Sequence, residues 1–87
     1  MKLLGTKKLA SLKGESVLID RWVSSWVSEV THASWKHADD VTEQFPAATV
    51  GDGALYSFSI EQTGIEVWLK IAFAQGIAII TELSRKP

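Results

Sequence analysis

The stretch from residue 55 to residue 73 reads LYSFSIEQTGIEVWLKIAF, and most of it alternates apolar with polar residues. Successive side chains of a β-strand point to opposite faces, so a period of two predicts strands with one buried face. Residues 61–64 interrupt the alternation with turn-forming residues, which predicts that the two strands pair as an antiparallel hairpin. We therefore expect two half-buried strands of one sheet in this stretch.

The alternation also assigns the two faces of the predicted sheet. One face is apolar, and we expect helices to cover it; its members are Tyr56, Phe58, Ile65, Val67, Leu69 and Ile71. The opposite face is polar apart from one tryptophan; its members are Ser57, Ser59, Glu66, Trp68 and Lys70. Glu66 and Lys70 share this face, which predicts a weak surface ion pair. A binding site, if present, is expected on this polar face.

The segments around the hairpin complete the predicted architecture. Residues 77–83 follow a turn at Gln75 and Gly76 and are apolar on both faces, which predicts a central strand. Residues 16–34 carry apolar side chains at spacings of three and four, which predicts an amphipathic helix; these are Ile19, Trp22, Val23, Trp26 and Val30. We expect an α+β fold with N-terminal helices on one face of a small antiparallel sheet.

Two shorter helices are predicted from their terminal residues. Residues 6–12 are expected to form one that ends at Gly14, a residue type common after helix ends. Two separate helices before and after Gly14, or one helix broken there, fit the sequence equally well. The spacing from Asp40 to Glu43 is that of a capping box, so a second helix should begin there and end before Pro46. It is too short to be more than a connector.

Composition restricts the class of protein. A chain of 87 residues with 46% apolar residues is expected to fold as one globular domain over residues 1–87. Nine basic and ten acidic residues give a net charge of −1, which does not favour a protein that mainly grips nucleic acid. Charged residues interrupt the longest apolar stretch, so no membrane partner is expected and the predicted location is the cytoplasm.

Chemistry-bearing motifs are scarce. There is no cysteine, and the helix is expected to end between His32 and His37, so we predict no metal site. Neither a G-x-S-x-G motif nor a phosphate-binding glycine loop is present, and no cofactor is expected. Trp22 and Trp26 are expected in the core. Trp68 is predicted on the polar face, where an exposed tryptophan is a frequent binding anchor, unless a terminal segment covers it.

The order and spacing of several elements resemble the HigB-like toxins of the RelE superfamily over almost the whole chain. The matching elements are the strand at residues 1–4, Trp26 with Trp35 nine residues later, Ala38-Asp39-Asp40-Val41, Gln44-Phe45, Ala48, Gly51, Phe58-x-Ile60, residues 67–71 and Gly76-Ile77-x-x-Ile80. The resemblance implies a compact α+β fold whose sheet holds mRNA in the ribosomal A site. It also implies RNA cleavage and neutralisation by an antitoxin.

The departures from the family pattern fall on residues that cleavage needs. Asp52-Gly53-Ala54 stands in place of an Asn-Asn-Arg run, and Glu66 stands in place of an arginine. The strand around Thr81 lacks the family's arginine, and no Thr-His-x-x-Tyr-Asp segment follows Arg85. Loss of one electrostatic catalytic group costs about 10²–10³ in rate. The resemblance therefore implies the fold with an impaired ribonuclease site, in which Lys70 is the weak catalytic candidate.

Three hypotheses remain open at the level of sequence. The first is a catalytically impaired HigB-like domain that binds a protein or ribonucleoprotein, such as an antitoxin, with at most weak contact to RNA or the ribosome. An inhibitor or decoy from a mobile element or phage fits it. Its predicted binding residues are Ser57, Ser59, Glu66, Trp68, Lys70 and Arg85. The second is an active mRNA interferase that uses Lys70, with help from His37 or Arg85. The third is a structural subunit with a covered Trp68.

Overall fold

The computed structural model describes residues 1–60 and 62–85, which form two layers, with helices on one face of a five-stranded sheet. The strands are β1 (Lys2–Leu4), β2 (Thr49–Val50), β3 (Leu55–Ile60), β4 (Ile65–Ala72) and β5 (Ile77–Arg85). The helices are a 3₁₀ helix (Thr6–Leu12), α1 (Val17–His32) and α2 (Ala38–Gln44), and a 3₁₀ turn (Phe73–Gln75) joins β4 to β5. The predicted α+β class is confirmed.

The sheet has the order β1-β5-β4-β3-β2. Strands β2 to β5 form an antiparallel series, but β1 pairs with β5 in the parallel sense. The sheet is therefore mixed, and the prediction of a wholly antiparallel sheet is wrong for β1. Three residues are too few to carry a periodic signal, so only the pairing of Leu3 with Ala78 reveals the direction of β1.

The helix layer covers the apolar face of the sheet, as predicted. Trp26 and Val30 of α1 are buried in one core with Val67 and Leu69 of β4, and all four side chains are at most 1% exposed. Aromatic rings link the layers: the centroid of Trp26 lies 5.4 Å from that of Phe58. This core fixes which side of the sheet remains open.

The start of helix α1 agrees with its prediction, whereas the start of α2 does not. Helix α1 begins after Ser16, whose hydroxyl accepts from the amide of Ile19 at 3.1 Å, as the predicted start implies. Helix α2 begins at Ala38, two residues before the predicted start at Asp40. Asp40 is already inside the first turn, where its carboxylate accepts from the amides of Lys36 (2.7 Å) and His37 (3.4 Å). The carboxylate of Asp40 therefore accepts hydrogen bonds from residues that precede the helix, and Asp40 is not the residue at which the helix starts.

Candidate functional site

The sheet face opposite the helices is arranged in rows by the strand register. Lys70 of β4 lies between Leu55 of β3 and Ile79 of β5, and Ile79 pairs in turn with Leu4 of β1. A second row places Trp68 between Ser57 and Glu82, and a third places Glu66 between Ser59 and Ser84. We call this surface the open face; its members are Leu4, Ser57, Ser59, Glu66, Trp68, Lys70, Ile79, Glu82 and Ser84.

Trp68 lies at the centre of the open face, and a hydrogen bond holds one end of its ring system. Its indole N–H donates to the hydroxyl of Ser84 on β5, at 3.1 Å. The opposite edge of the ring reaches Gly51, where a Cβ would stand 3.5 Å from Cζ3 of Trp68. The indole therefore extends from β5 towards the β2 side of the sheet. It is half-buried, and part of it stays accessible to a partner.

Ser57 is the predicted site residue whose burial differs from expectation. It was expected to be accessible on the polar face, but it is only 3% exposed. It stands directly across the β3–β4 ladder from Trp68, and side chains opposed in this way lie within contact distance. The indole covers it, so Ser57 supports Trp68 from below and is not available to a ligand. Ser59, by contrast, is exposed.

Arg85 does not lie on the open face. It pairs with Ile65, so its side chain projects from the side of the sheet that the helices cover. There its guanidinium forms an ion pair with Glu15, with Nη2 2.6 Å from Oε2. The grouping of Arg85 with Trp68 and Lys70 in one site is therefore wrong. The predicted strand ended at residue 83, two residues before Arg85, so the sequence pattern did not assign Arg85 to a face.

The charges of the open face are mixed. Lys70 is exposed, and the predicted ion pair between Glu66 and Lys70 stays a prediction. Glu66 is half-buried and Glu82 is exposed, and each lies one row or less from Trp68. The exposed carboxylate of Glu82 stands directly beside Trp68, so a phosphate backbone laid along β4 would meet a negative charge there.

Sequence reasoning missed four members of the open face, which are Leu4, Ile79, Glu82 and Ser84. Leu4 and Ile79 are large apolar residues that are 38% and 40% exposed, and Glu82 lies directly beside Trp68. The register shift between Trp68 and Leu69 places Glu82, and not Thr81, opposite the indole. A β-bulge within an apolar strand cannot be recognised from its sequence. Residues 77–83 were predicted to form a central strand, and β5 does lie between β1 and β4, but its Ile79 is exposed on the open face.

The two histidines and the other acids do not converge. His32 Nδ1 lies 2.8 Å from the carbonyl of Ser28, and His37 stands beside Asp40 at the start of α2. Within residues 1–60 and 62–85, no three His, Cys, Asp or Glu side chains cluster so as to hold a metal ion. In the same part of the chain, no helix is both long and apolar enough to cross a membrane.

A cleft of about 510 Å³ opens on the helix side, between α1 and the segment after α2. Trp22 lines it and is half-buried, so the prediction that it belongs to the core is only partly fulfilled. Its ring stacks on that of Trp26, with centroids 5.7 Å apart. The buried N–H of Trp26 has no hydrogen-bond partner among the described residues. Ser59 lines this cleft and is also a member of the open face, so the two surfaces share that residue.

Comparison of the sequence with protein-family models and with curated proteins finds no match.

Proposed function

We propose that this chain is a HigB-like domain of the RelE superfamily with impaired catalysis, and that it acts in the cytoplasm by binding a protein partner through the open face. The observation that carries the proposal is the fixed, half-buried indole of Trp68 at the centre of that face. A rigid aromatic group that is already ordered loses little entropy on binding, which is typical of an interface anchor.

The surroundings of Trp68 support a protein partner. Leu4 and Ile79 add exposed apolar surface in the adjacent row, and Lys70 and Glu82 supply charges of both signs at its margin. Interfaces between proteins combine an apolar centre with a polar rim in this way. An antitoxin, or a protein of a ribonucleoprotein, fits this chemistry. A decoy or inhibitor role follows if the partner is one that active toxins also bind.

The charges around Trp68 support an impaired ribonuclease site. RNA cleavage needs cations that stabilise the developing charge on the phosphate, and the rows around Trp68 contain one lysine, Lys70, with the exposed carboxylate of Glu82 beside the indole. One lysine close to an exposed carboxylate is a poor anion site. We expect no growth arrest and no codon-associated mRNA cleavage when the chain is expressed in a growing bacterium. Arrest that Lys70→Ala abolishes would instead identify an active mRNA interferase.

The binding test compares two tryptophan variants. Proteins captured by the wild type are identified, purified and titrated against the wild type, Trp68→Ala and Trp22→Ala. Removal of a central anchor costs about 2 kcal/mol or more, or roughly 30-fold in Kd, so Trp68→Ala should weaken binding at least that much. Trp22→Ala controls for the loss of a half-buried indole that is not a member of the open face. Equal affinities for wild type and Trp68→Ala would exclude the open face as the binding surface. Loss of capture after nuclease treatment would mean that a nucleic acid, and not a protein surface, mediates the interaction.

A further inference from the structure

An exposed stripe of side chains runs along the side of α1 that is turned away from the core. Its members recur at spacings of three and four residues and are all exposed; they are Leu18, Arg21, Ser25, Glu29 and His32. At 3.6 residues per turn, each of them lies within about 40° of the direction of Ser25. The buried residues Trp26 and Val30 of the same helix lie roughly 100–140° away from that direction. We call this surface the α1 stripe.

The α1 stripe combines exposed apolar surface with charges of both signs. Leu18 is 54% exposed, and its neighbour Val17 is 68% exposed, although both are large apolar residues. Arg21 and Glu29 are exposed, and neither belongs to an ion pair of the described residues. Apolar groups bordered by charges are typical of a contact between proteins.

The residues of the α1 stripe are arranged symmetrically about Ser25. Arg21 and Glu29 each lie four residues from Ser25, or about 6 Å along the helix axis. When two copies of a helix pack antiparallel across a two-fold axis at Ser25, residues equally distant from Ser25 on opposite sides come to the same height. Arg21 of each copy then lies level with Glu29 of the other copy, so every charge faces its opposite.

The sizes of the side chains also suit this arrangement. Ser25 meets Ser25 of the second copy on the axis, and Ser28 lies one turn away, so small side chains at the centre let the two helices approach closely. Leu18 and His32 each lie seven residues from Ser25, so the leucine of one copy comes level with the exposed imidazole of the other. Charge and size are therefore complementary under one two-fold axis.

We propose that the α1 stripe is the contact between two copies of this chain, which form a dimer with antiparallel α1 helices and a two-fold axis at Ser25. The two symmetry-related ion pairs between Arg21 and Glu29 fix the direction of packing, because a parallel pair would place Arg21 against Arg21. This surface goes beyond the proposed function. It does not include Trp68, which lies on the sheet face opposite the helices.

Charge exchange tests the proposal on the intact chain. Sedimentation equilibrium at low ionic strength, from about 1 μM to about 1 mM, should show the average mass rising from that of one chain towards that of two. Arg21→Glu and Glu29→Arg each bring like charges level across the axis, so each should weaken self-association by at least about tenfold. An equimolar mixture of the two variants should associate as the wild type does, because opposite charges again face each other between unlike copies.

Disulfide formation tests the position of the two-fold axis. The chain contains no cysteine, so Ser25→Cys introduces a single thiol. Helices that pack about 8–10 Å apart bring facing Cα atoms within the range of a disulfide. Oxidised glutathione should therefore convert Ser25→Cys into a covalent dimer, in which two thiols form one disulfide. Ser24→Cys, at an exposed position of the same helix roughly 100° away, should stay a monomer under the same oxidant.

Four outcomes would overturn the proposal. The first is a single chain at every concentration, and the second is a mixture of Arg21→Glu and Glu29→Arg that associates no better than either variant alone. The third is equal disulfide formation by Ser24→Cys and Ser25→Cys. Lys70→Glu reverses an exposed charge on the open face and should leave self-association unchanged. The fourth is weaker association of Lys70→Glu, which would place the dimer contact on the open face.

Discussion

Asp40 shows how one carboxylate organises the turn between α1 and α2. The hydrogen bond from the amide of Lys36 lowers the pKa of the Asp40 carboxyl below its ordinary value of 3.8; desolvation opposes this shift, and a second bond from the amide of His37 adds to it. A carboxyl with a lowered folded-state pKa stabilises the fold above its unfolded pKa. This stabilisation is lost as the pH falls through the folded pKa.

The corresponding prediction concerns the pH dependence of stability. Asp40→Asn should be less stable than the wild type at neutral pH, and the difference should shrink as the pH falls below about 3.8, where the wild-type carboxyl also becomes neutral. Urea unfolding at several pH values measures it. Asp39→Asn is the control, because the neighbouring exposed carboxylate accepts neither backbone bond. A difference that stays constant with pH would contradict the assignment.

Gly5 and Gly14 differ in surroundings but not in backbone conformation. Both have positive φ angles, of 82° and 83°, which cost an L-residue about 1–2 kcal/mol. A Cβ at Gly5 would also stand 2.8 Å from the carbonyl oxygen of Ile80, whereas a Cβ at Gly14 meets nothing within 4 Å. Gly5→Ala should therefore lower the free energy of unfolding more than Gly14→Ala does, as measured with urea. Equal losses would mean that β1 can shift to relieve the contact.

Residue-scale predictions from sequence succeeded where alternation alone decides the outcome. The face of Trp68 follows from its position between Glu66 and Lys70, and the structure places it on the predicted face. The burial of Ser57 could not be predicted in this way. It depends on the conformation of an indole on the neighbouring strand, and a periodic pattern contains no information on side-chain conformation.

At the scale of elements, Ser16 defines the start of α1. Its hydroxyl satisfies the amide of Ile19, one of the backbone donors that a helix end leaves unpaired. Ser16→Ala should lower the free energy of unfolding by about 0.5–2 kcal/mol. Ser24→Ala, at an exposed position within the same helix, should have little effect or a slightly stabilising one. Thermal or urea unfolding of both variants checks this, and equal effects would argue against the cap.

The elements themselves were predicted best where a pattern extends over many residues. The predicted strand at residues 55–60 and the helix at residues 16–34 match β3 and α1 within two residues at each end. Strand β2 was not predicted, because Thr49 and Val50 are too few to show an alternation. The end of β5 was placed two residues early, since Ser84 and Arg85 carry no apolar signal. Short or polar strands are recognised only by their pairing.

At the scale of the whole molecule, stability rests on the contact between the two layers. Leu69 of β4 is fully buried in that contact, whereas Ile79 of β5 is 40% exposed on the open face. Leu69→Ala should cost about 2–5 kcal/mol of unfolding free energy, because it removes buried surface and leaves a cavity. Ile79→Ala should cost much less. Denaturant unfolding distinguishes them, and similar losses would mean that the open face is covered in solution.

The sequence by itself determined the alternation of the hairpin, the amphipathic helix and the apolar face that the helices cover. These depend on residues a few positions apart, whose spacing fixes the face on which each side chain lies. Only the tertiary structure decided the parallel pairing of β1, the bulge that brings Glu82 beside Trp68, and the ion pair of Arg85 with Glu15 across 70 residues of chain. These contacts join segments that are distant in sequence, and local spacing carries no record of them.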